Sequence, residues 1–148
     1  MRIFVDMDNV LVDFPSGIDR LDPEKKKQYK DHYDDAPGIF ALMDPLVGAI
    51  EGYQELCKDH DVFILSTAPW GNPTAWSDKL LWVKKHLGQC AEKRLILTHH
   101  KYLVRGDVLI DDRRKRGAGA FSGRHLHFGE HGEFKDWASV LAEIEAIS

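Results

Sequence analysis

Short apolar runs alternate along this chain with stretches of helical periodicity, and this alternation constrains the fold more than any other feature. Five runs have the length and composition of strands: Arg2–Asp6, Asp61–Ser66, Arg94–Thr98, Asp107–Ile110 and Arg124–Phe128. The first four are continuous apolar runs, as expected for strands that are buried on both faces. The succession of strands and helices therefore predicts an α/β fold with a parallel sheet.

Three segments between and after these strands have apolar residues at helical spacing. They are Leu46–His60, Ala75–Leu87 and Phe134–Ile147. We predict that the second helix begins at a Ser77 cap. Its apolar positions are Leu80, Leu81, Val83 and Leu87. The last helix has a single apolar stripe, which predicts that one of its faces packs against the core.

The segment 14–44 interrupts this alternation of predicted strands and helices. It is rich in charged residues and is punctuated by turn-forming residues, namely Pro15, Pro23, Pro37 and Gly38. A connection of roughly thirty residues without a strand is unusual inside a compact domain and often forms a lid. We interpret the segment as a small helical cap over the carboxyl ends of the strands, with a mobile surface loop as the alternative.

Composition argues against several classes of partner and location. The chain has 148 residues, the usual size of one domain, and a net charge of −4 without a basic tail, so long nucleic acids are not expected partners. No apolar run approaches the ~18 residues of a membrane-spanning helix. The chain opens directly on a predicted strand, and its two cysteines fit no disulfide framework. We therefore expect a cytoplasmic protein without a signal peptide.

Two pairs of carboxylates directly follow predicted strands. Asp6 and Asp8 come after the first strand, and Asp111 and Asp112 come after the fourth. Buried carboxylates are unfavourable unless a cation neutralises them, and Mg²⁺ prefers such hard oxygen ligands. In phosphoryl transfer, one carboxylate of such a pair attacks phosphorus while the other exchanges protons with the leaving oxygen and with water. An acidic turn remains the alternative for each pair taken alone.

Two hydroxyls and a lysine complete the pattern. Ser66 and Thr67 stand at the end of the second predicted strand, where a hydroxyl can bind a phosphate oxygen; a simple turn before Pro69 is an equal alternative. Lys101 follows the third strand, where an ammonium would neutralise phosphate; a solvated surface lysine is the alternative. Because the carboxyl ends of parallel strands meet in one crevice, the four features together predict a single site.

The four features, in this order, resemble the motifs of the haloacid dehalogenase superfamily of phosphohydrolases. More specifically, the chain resembles the 5′(3′)-deoxyribonucleotidase family. The segments that carry this likeness are Asp6–Phe14, Pro37–Phe40, Pro45–Ala49, Ser66–Pro69 and Leu109–Arg113. With Leu97, Thr98 and Lys101, they extend over nearly the whole chain.

The resemblance implies one Rossmann-like domain over residues 1–148, a three-layer sandwich with helices on both faces of a five-stranded parallel sheet. It further implies the strand order 5-4-1-2-3, with the first strand central and the cap 14–44 inserted after the first motif. Asn9 stands where the family usually has glycine, but asparagine tolerates unusual turn dihedrals. The cap is short and offers Tyr29, Tyr33 and Phe40, but no tryptophan, to a nucleobase.

The resemblance also implies roles around the reacting phosphate. Asp6 would be the nucleophile and a magnesium ligand. Asp8 would be the general acid/base and would offer its backbone carbonyl to the metal. Thr67 would bind phosphate, with Ser66 as the alternative if the strand register differs by one residue. Lys101 would pair with the phosphate and with the aspartyl-phosphate.

Four further roles follow from the same likeness. Asp112 would ligate the metal directly, and Asp111 would support it from beside the site. Phe14 would line the sugar or base pocket. Lys79, near the start of its helix, would add a second positive contact with the substrate.

We therefore predict a magnesium-dependent phosphomonoester hydrolase that acts through an aspartyl-phosphate, specifically a 5′(3′)-deoxyribonucleotidase that dephosphorylates nucleoside monophosphates. One alternative is a phosphatase of the same mechanism for another small phosphomonoester. A second is a binding protein that retained the fold without turnover. The basic run Arg113–Arg116 is interpreted as a solvated loop rather than a nucleic-acid patch. The sequence indicates no particular oligomeric state.

Overall fold

The computed structural model describes residues 1–113 and 120–148. In this part of the chain the strands are β1 (Arg2–Val5), β2 (Val12–Asp13), β3 (Asp44–Pro45), β4 (Asp61–Ser66), β5 (Leu95–Leu97), β6 (Val108–Asp111) and β7 (Arg124–His127). The α-helices are α1 (Phe14–Arg20), α2 (Pro23–Gln28), α3 (Ala49–Asp59), α4 (Pro73–His86) and α5 (Trp137–Ile147). Short 3₁₀ turns occupy Tyr33–Asp35, Ile39–Ala41, Gln89–Ala91 and Lys101–Leu103. None of the described helices is both long enough and apolar enough to cross a membrane.

Five parallel strands form the main sheet, with β1 in the middle. From edge to edge the order is β7-β6-β1-β4-β5. Counted along the chain among these five strands alone, this order is 5-4-1-2-3, so the predicted α/β fold and its strand order are confirmed. The register pairs Val5 with Ile64 of β4 and with Ile110 of β6. The three central strands therefore end side by side, at the edge where the predicted site residues follow.

The two faces of the sheet are covered differently. Ile3 and Val5 of β1 belong to a large apolar cluster, whereas Phe4 belongs to a smaller one. The large cluster also holds the buried apolar residues of α3, α4 and α5. In the smaller cluster Phe121, from a connecting segment, packs edge-on against Phe4. Within the described residues, the expected third layer is thus built from connections rather than a long helix, because residues 98–107 are too few to form one.

The segment 14–44 starts and ends at a short antiparallel ladder. In this ladder Val12 of β2 pairs with Pro45 of β3, so the two ends of the segment are held together. Between them lie α1, α2 and two of the 3₁₀ turns. Trp82 of α4 donates a hydrogen bond from Nε1 to the carbonyl of Met43 at 3.0 Å. The segment is therefore packed against the core of the domain.

Helix α4 begins earlier than predicted and turns a different face inward. Its cap is Asn72, not Ser77, and Pro73 stands in the first turn, where a missing N–H is tolerated. The buried positions are Ala75, Lys79, Trp82 and Val83. Of the four predicted apolar positions, Val83 and Leu87 are buried, whereas Leu80 and Leu81 are 43% and 58% exposed. The apolar pattern missed Lys79, which is buried because it has ion-pair and hydrogen-bond partners.

Helix α5 anchors the loop that follows β1. Asp136 and Ser139 form a reciprocal capping box, which fixes the start of the helix. The indole of Trp137 then donates to the carbonyl of Val10 at 2.8 Å. The same ring covers Gly52 of α3 so closely that a Cβ atom added there would lie 2.4 Å from Trp137 Cε3. Close packing of α3 and α5 thus holds the loop that carries Asp8 and Asn9.

Replacing Gly52 with alanine is expected to destabilise the fold. The added methyl group would overlap an indole ring that is fixed by its hydrogen bond to Val10. Overpacking of this kind costs about 1–3 kcal/mol and outweighs the better helix propensity of alanine, which contributes about 1 kcal/mol or less. Thermal unfolding followed by circular dichroism should show a lower Tm. Glu51→Ala, at an exposed position of the same helix, is the control, and an unchanged Tm for Gly52→Ala would contradict this packing.

Candidate active site

The predicted site residues meet at the carboxyl edge of the sheet. Asp6 follows β1, Thr67 follows β4, and Asp111 ends β6. Lys101 begins the 3₁₀ turn after β5. All four side chains are buried. The strands therefore bring together residues that are far apart in sequence and place them in a poorly solvated setting.

Three carboxylates form the acidic part of the site. Oxygen atoms from Asp6, Asp111 and Asp112, one from each, all lie within 4.8 Å of one another. Burial, reinforced by the nearby charge of Asp6, raises the pKa of Asp111 to about 8 and that of Asp112 to about 7. Both groups are harder to ionise than ordinary aspartates because like charges crowd together away from water.

Lys101 neutralises part of this cluster. Its Nζ donates to Asp6 Oδ1 at 2.9 Å and to Asp111 Oδ2 at 2.6 Å. Burial alone would lower the pKa of this ammonium, but the two carboxylates raise it to about 12, so it stays charged. The other oxygen of Asp111 accepts a hydrogen bond from the backbone N–H of Arg113 at 2.9 Å. Asp111 is thus held through both of its oxygens.

The cluster suits a divalent cation. Lys101 contacts two of the three carboxylates, those of Asp6 and Asp111, and Asp112 Oδ1 is buried without a hydrogen-bond partner among the described residues. Buried polar atoms are rarely left unpaired, so this oxygen fits the role of a cation ligand. The available ligand atoms are hard anionic oxygens, which Mg²⁺ and similar ions prefer.

A second ion pair, between buried Lys79 and half-buried Asp8, lies beside the first. Lys79 is fully buried, and its Nζ donates to Asp8 Oδ1 at 3.2 Å, to Ser66 Oγ at 2.6 Å and to the Thr67 carbonyl at 3.1 Å. The ammonium also lies 4.6 Å from the ring centroid of Phe40. Burial raises the pKa of Asp8, and the charge of Lys79 opposes that rise. The structure thus places Lys79 against Asp8 with its three hydrogens engaged, rather than in open contact with a substrate.

A cavity of about 380 Å³ lies between the motif loops and the segment 14–44. Its core side is lined by Asp8, Asn9, Thr67, Pro69 and Arg113, and the other side by Phe14, Asp31, His32, Tyr33 and Asp34. Of the two predicted hydroxyls, Thr67 lines this cavity and Ser66 faces Lys79 instead. Asn9 adopts a left-handed φ of 60°, a conformation that asparagine tolerates.

A larger groove and the basic run Arg113–Arg116 complete the surroundings of the site. A larger groove, of about 950 Å³, is lined mainly by residues of α4 and by the segment from Gly88 to Leu97, and by none of the predicted site residues. The basic run Arg113–Arg116 is described only at Arg113, which lines the smaller cavity. Residues 114–116 lie outside the described residues, so the solvated-loop interpretation stays a prediction.

Three residues that contact the site had no role assigned to them from the sequence. Arg113 lines the cavity, and its charge favours the ionised form of Asp112. His127 Nε2 lies 3.0 Å from the Asp112 carbonyl oxygen, and His125 Nε2 lies 3.2 Å from that of Asp111. The available signals were the position of Arg113 directly after the acidic pair and the alternating positions of His125 and His127 in one strand, since alternate residues of a strand share a face. Their ring centroids are 5.8 Å apart.

Residues 15–135 match the family described as "5' nucleotidase, deoxy (Pyrimidine), cytosolic type C protein". A protein of Vibrio phage KVP40, provisionally named as a 5′(3′)-deoxyribonucleotidase, is 58% identical over 142 residues, which cover 96% of this chain and 83% of the relative. The chain belongs to this family. The family membership predicted from the motifs is therefore confirmed.

A human relative and a solved structure agree with this assignment. The human cytosolic-type 5′(3′)-deoxyribonucleotidase is 32% identical over 142 residues, covering 76% of this chain and 71% of that protein. A solved haloacid dehalogenase-like hydrolase from Streptococcus pneumoniae aligns with a TM-score of 0.58 at 14% identity, over 95% of this chain and 89% of that chain. The structural likeness shows the fold, and the family shows the class of enzyme. The chain is a phosphoric monoester hydrolase with a haloacid dehalogenase-like fold.

A divalent cation is expected to stabilise the folded protein through Asp112. A ligand that binds only the native state raises the free energy of unfolding, by about 2.7 kcal/mol at 100 times its Kd. Adding MgCl₂ to chelator-treated protein should therefore raise the Tm, and Asp112→Asn should remove most of that rise. Asp19→Asn, at an exposed position, is the control and should keep the full response. An equal rise in Asp112→Asn would show that the cation binds elsewhere.

Proposed function

We propose that this chain is a magnesium-dependent 5′(3′)-deoxyribonucleotidase that dephosphorylates nucleoside monophosphates through an aspartyl-phosphate on Asp6. The observation that carries the proposal is the presence of two carboxylate–lysine pairs at one edge of the sheet, Asp6 with Lys101 and Asp8 with Lys79, in which both ammonium groups are buried. The first pair suits nucleophilic attack, and the second suits proton transfer. The printed names of the phage and human relatives support the same activity.

Mg²⁺ would be held by the carboxylates of Asp6 and Asp112 and by the backbone carbonyl of Asp8. Asp112 has a buried oxygen without a hydrogen-bond partner among the described residues, whereas both oxygens of Asp111 accept hydrogen bonds. This difference favours Asp112 as the direct ligand and Asp111 as its support. When bound, the cation supplies positive charge that reduces the repulsion between the carboxylates and an anionic phosphate.

Asp6 is the proposed nucleophile because its carboxylate lies at the end of the central strand, beside Lys101. The ammonium of Lys101, 2.9 Å from Asp6 Oδ1, offsets negative charge as two anions approach each other. A carboxylate oxygen then bonds to phosphorus as the bond to the nucleoside oxygen breaks, and an aspartyl-phosphate results. Thr67 lines the cavity, and its hydroxyl, which donates to the Thr98 carbonyl at 2.9 Å, can rotate to donate to a phosphate oxygen.

Asp8 acts first as an acid and then as a base. Burial raises the pKa of Asp8, so this group holds a proton more readily than an ordinary aspartate. Protonated Asp8 gives its proton to the departing nucleoside oxygen. The resulting carboxylate takes a proton from the water that attacks the aspartyl-phosphate, which releases phosphate and regenerates Asp6. Lys79, 3.2 Å from Asp8 Oδ1, holds the side chain in place.

The cavity beside Asp8 supports a nucleoside as the rest of the substrate. Phe14 and Tyr33 line it with aromatic surface on which a base or sugar can pack. Asp31 and Asp34 add acceptors for hydroxyl and amino groups. The volume, about 380 Å³, falls in the range of roughly 300–1,000 Å³ that is usual for small-molecule sites. The name of the human cytosolic-type relative supports a cytoplasmic location.

Asp6→Asn should abolish phosphate release, because an amide is a far poorer nucleophile than a carboxylate. We expect a loss on the order of 10⁴-fold or more in kcat. Circular dichroism should show a folded protein, since the substitution removes one charge from a crowded cluster. Asp19→Asn, at an exposed position, should keep the wild-type rate. A near-normal rate in Asp6→Asn would contradict the assignment of the nucleophile.

A panel of phosphomonoesters tests the substrate class. With Mg²⁺ present, released phosphate should give the highest kcat/KM for deoxyribonucleoside monophosphates, because the cavity offers aromatic surface to a base. Ribose 5-phosphate, which lacks a base, is the matched comparison. Preference for a sugar phosphate over every nucleotide would identify a phosphatase for another small ester. Absence of release from every substrate would favour a binding protein without turnover.

A further inference from the structure

Two histidines of β7 contact the backbone that carries the acidic pair after β6. His127 Nε2 lies 3.0 Å from the carbonyl oxygen of Asp112, and His125 Nε2 lies 3.2 Å from that of Asp111. A carbonyl oxygen only accepts hydrogen bonds, so each Nε2 must carry a hydrogen and donate it. Both imidazoles are therefore protonated at Nε2, whatever the state of their other nitrogen.

The two carbonyls differ in what else holds them. Asp111 is the last residue of β6, and its carbonyl also accepts the ladder hydrogen bond from the backbone N–H of Phe128 at 2.9 Å. Asp112 lies beyond the end of β6, where the ladder no longer reaches. Within residues 1–113 and 120–148, the donor to the Asp112 carbonyl is His127. The imidazole of His127 thus holds the Asp112 carbonyl by a hydrogen bond, as the sheet holds the Asp111 carbonyl.

The peptide group between Asp112 and Arg113 is held at both of its polar atoms. Its N–H donates to Asp111 Oδ1 at 2.9 Å, and its carbonyl accepts from His127 at 3.0 Å. The Asp112 carboxylate has one buried oxygen, Oδ1, without a hydrogen-bond partner among the described residues, and it interacts with the like-charged side chain of Asp6. The orientation of this peptide group therefore helps to set the direction of the Asp112 side chain.

We propose that His127 is a positioning residue for the cation site: its Nε2–H holds the Asp112 carbonyl and so directs the Asp112 carboxylate towards the metal. This inference rests on the proposed function, in which Asp112 is the direct ligand, and it extends the site to a strand outside the four motifs. Groups that orient a metal ligand typically change metal affinity by about 10- to 100-fold when they are lost. The effect of His125 is smaller, because the Asp111 carbonyl keeps its ladder hydrogen bond.

The test is the Mg²⁺ affinity of the metal-free protein, measured by isothermal titration calorimetry and by the Mg²⁺ dependence of the Tm. His127→Leu removes the donor and keeps much of the bulk, and it should raise the Kd for Mg²⁺ by about tenfold or more. His127→Gln restores an N–H donor at a similar reach and should lie within about threefold of the wild type. His125→Leu should have a smaller effect than His127→Leu, and His131→Gln, at an exposed position, should have none.

The Mg²⁺ dependence of enzyme activity is a second, independent test. In His127→Leu the Mg²⁺ concentration for half-maximal phosphate release should rise, while kcat at saturating Mg²⁺ stays near the wild-type value. If His127→Leu does not fold, His127→Asn, whose amide is too short to reach the carbonyl, takes its place in the comparison with His127→Gln.

Two results would overturn the positioning role. One is an unchanged Mg²⁺ affinity in His127→Leu or His127→Asn, and the other is an equal loss of affinity in His127→Gln, which would reveal packing rather than a hydrogen bond. Failure of the proposed metal site is distinguishable, because the wild-type protein would then bind no Mg²⁺ in the same titration, which would overturn both the site and the positioning role. Failure of the proposed substrate class would leave the Mg²⁺ titrations unchanged and would appear only in the phosphomonoester panel. Binding by the wild type that does not depend on His127 would overturn the inference alone.

Discussion

The ammonium of Lys101 lies between the carboxylates of Asp6 and Asp111, and the rest of the site is arranged around this contact. The three groups follow three different strands and are all buried, so each would be unfavourable in its place without the others. Lys101 offsets only part of the charge, because Asp112 adds a third carboxylate within 4.8 Å. This surplus of negative charge away from water suits a divalent cation, whose hard positive charge would offset it.

The second ion pair connects this chemistry to the segment 14–44. Lys79 of α4 contacts Asp8 on one side and the ring of Phe40, in that segment, on another. Lys79 shares the buried face of α4 with apolar residues such as Trp82 and Val83, whereas Leu80 and Leu81 are exposed, so polar contacts near the site place a charged side chain among apolar ones. The same segment supplies one wall of the cavity beside Asp8. The cavity proposed for the substrate and the ion pair proposed for proton transfer are therefore packed together.

The strands and their terminal carboxylates could be predicted from the sequence, because a buried parallel strand is a continuous apolar run and its last residues must reach the same edge of the sheet. The inward face of α4 could not, since an apolar pattern does not show that a lysine will be buried by ion pairing. The role of His127 could not either, because it depends on the register that sets β7 beside β6. The lining that Asp31 and Tyr33 add to the cavity depends on how the segment 14–44 folds back. These features arise from tertiary contacts that no local pattern encodes.

The central claim is that Asp6 bonds covalently to phosphorus at a site made possible by the charges around it. The most direct measurement is rapid quenching during turnover, reduction of any acyl-phosphate with borohydride, and mapping of the reduced residue by peptide mass spectrometry. The account predicts a reduced aspartate at position 6 and none at positions 8, 111 or 112. Reduction at one of those other positions, or turnover without any acyl-phosphate on the time scale of a single catalytic cycle, would contradict it.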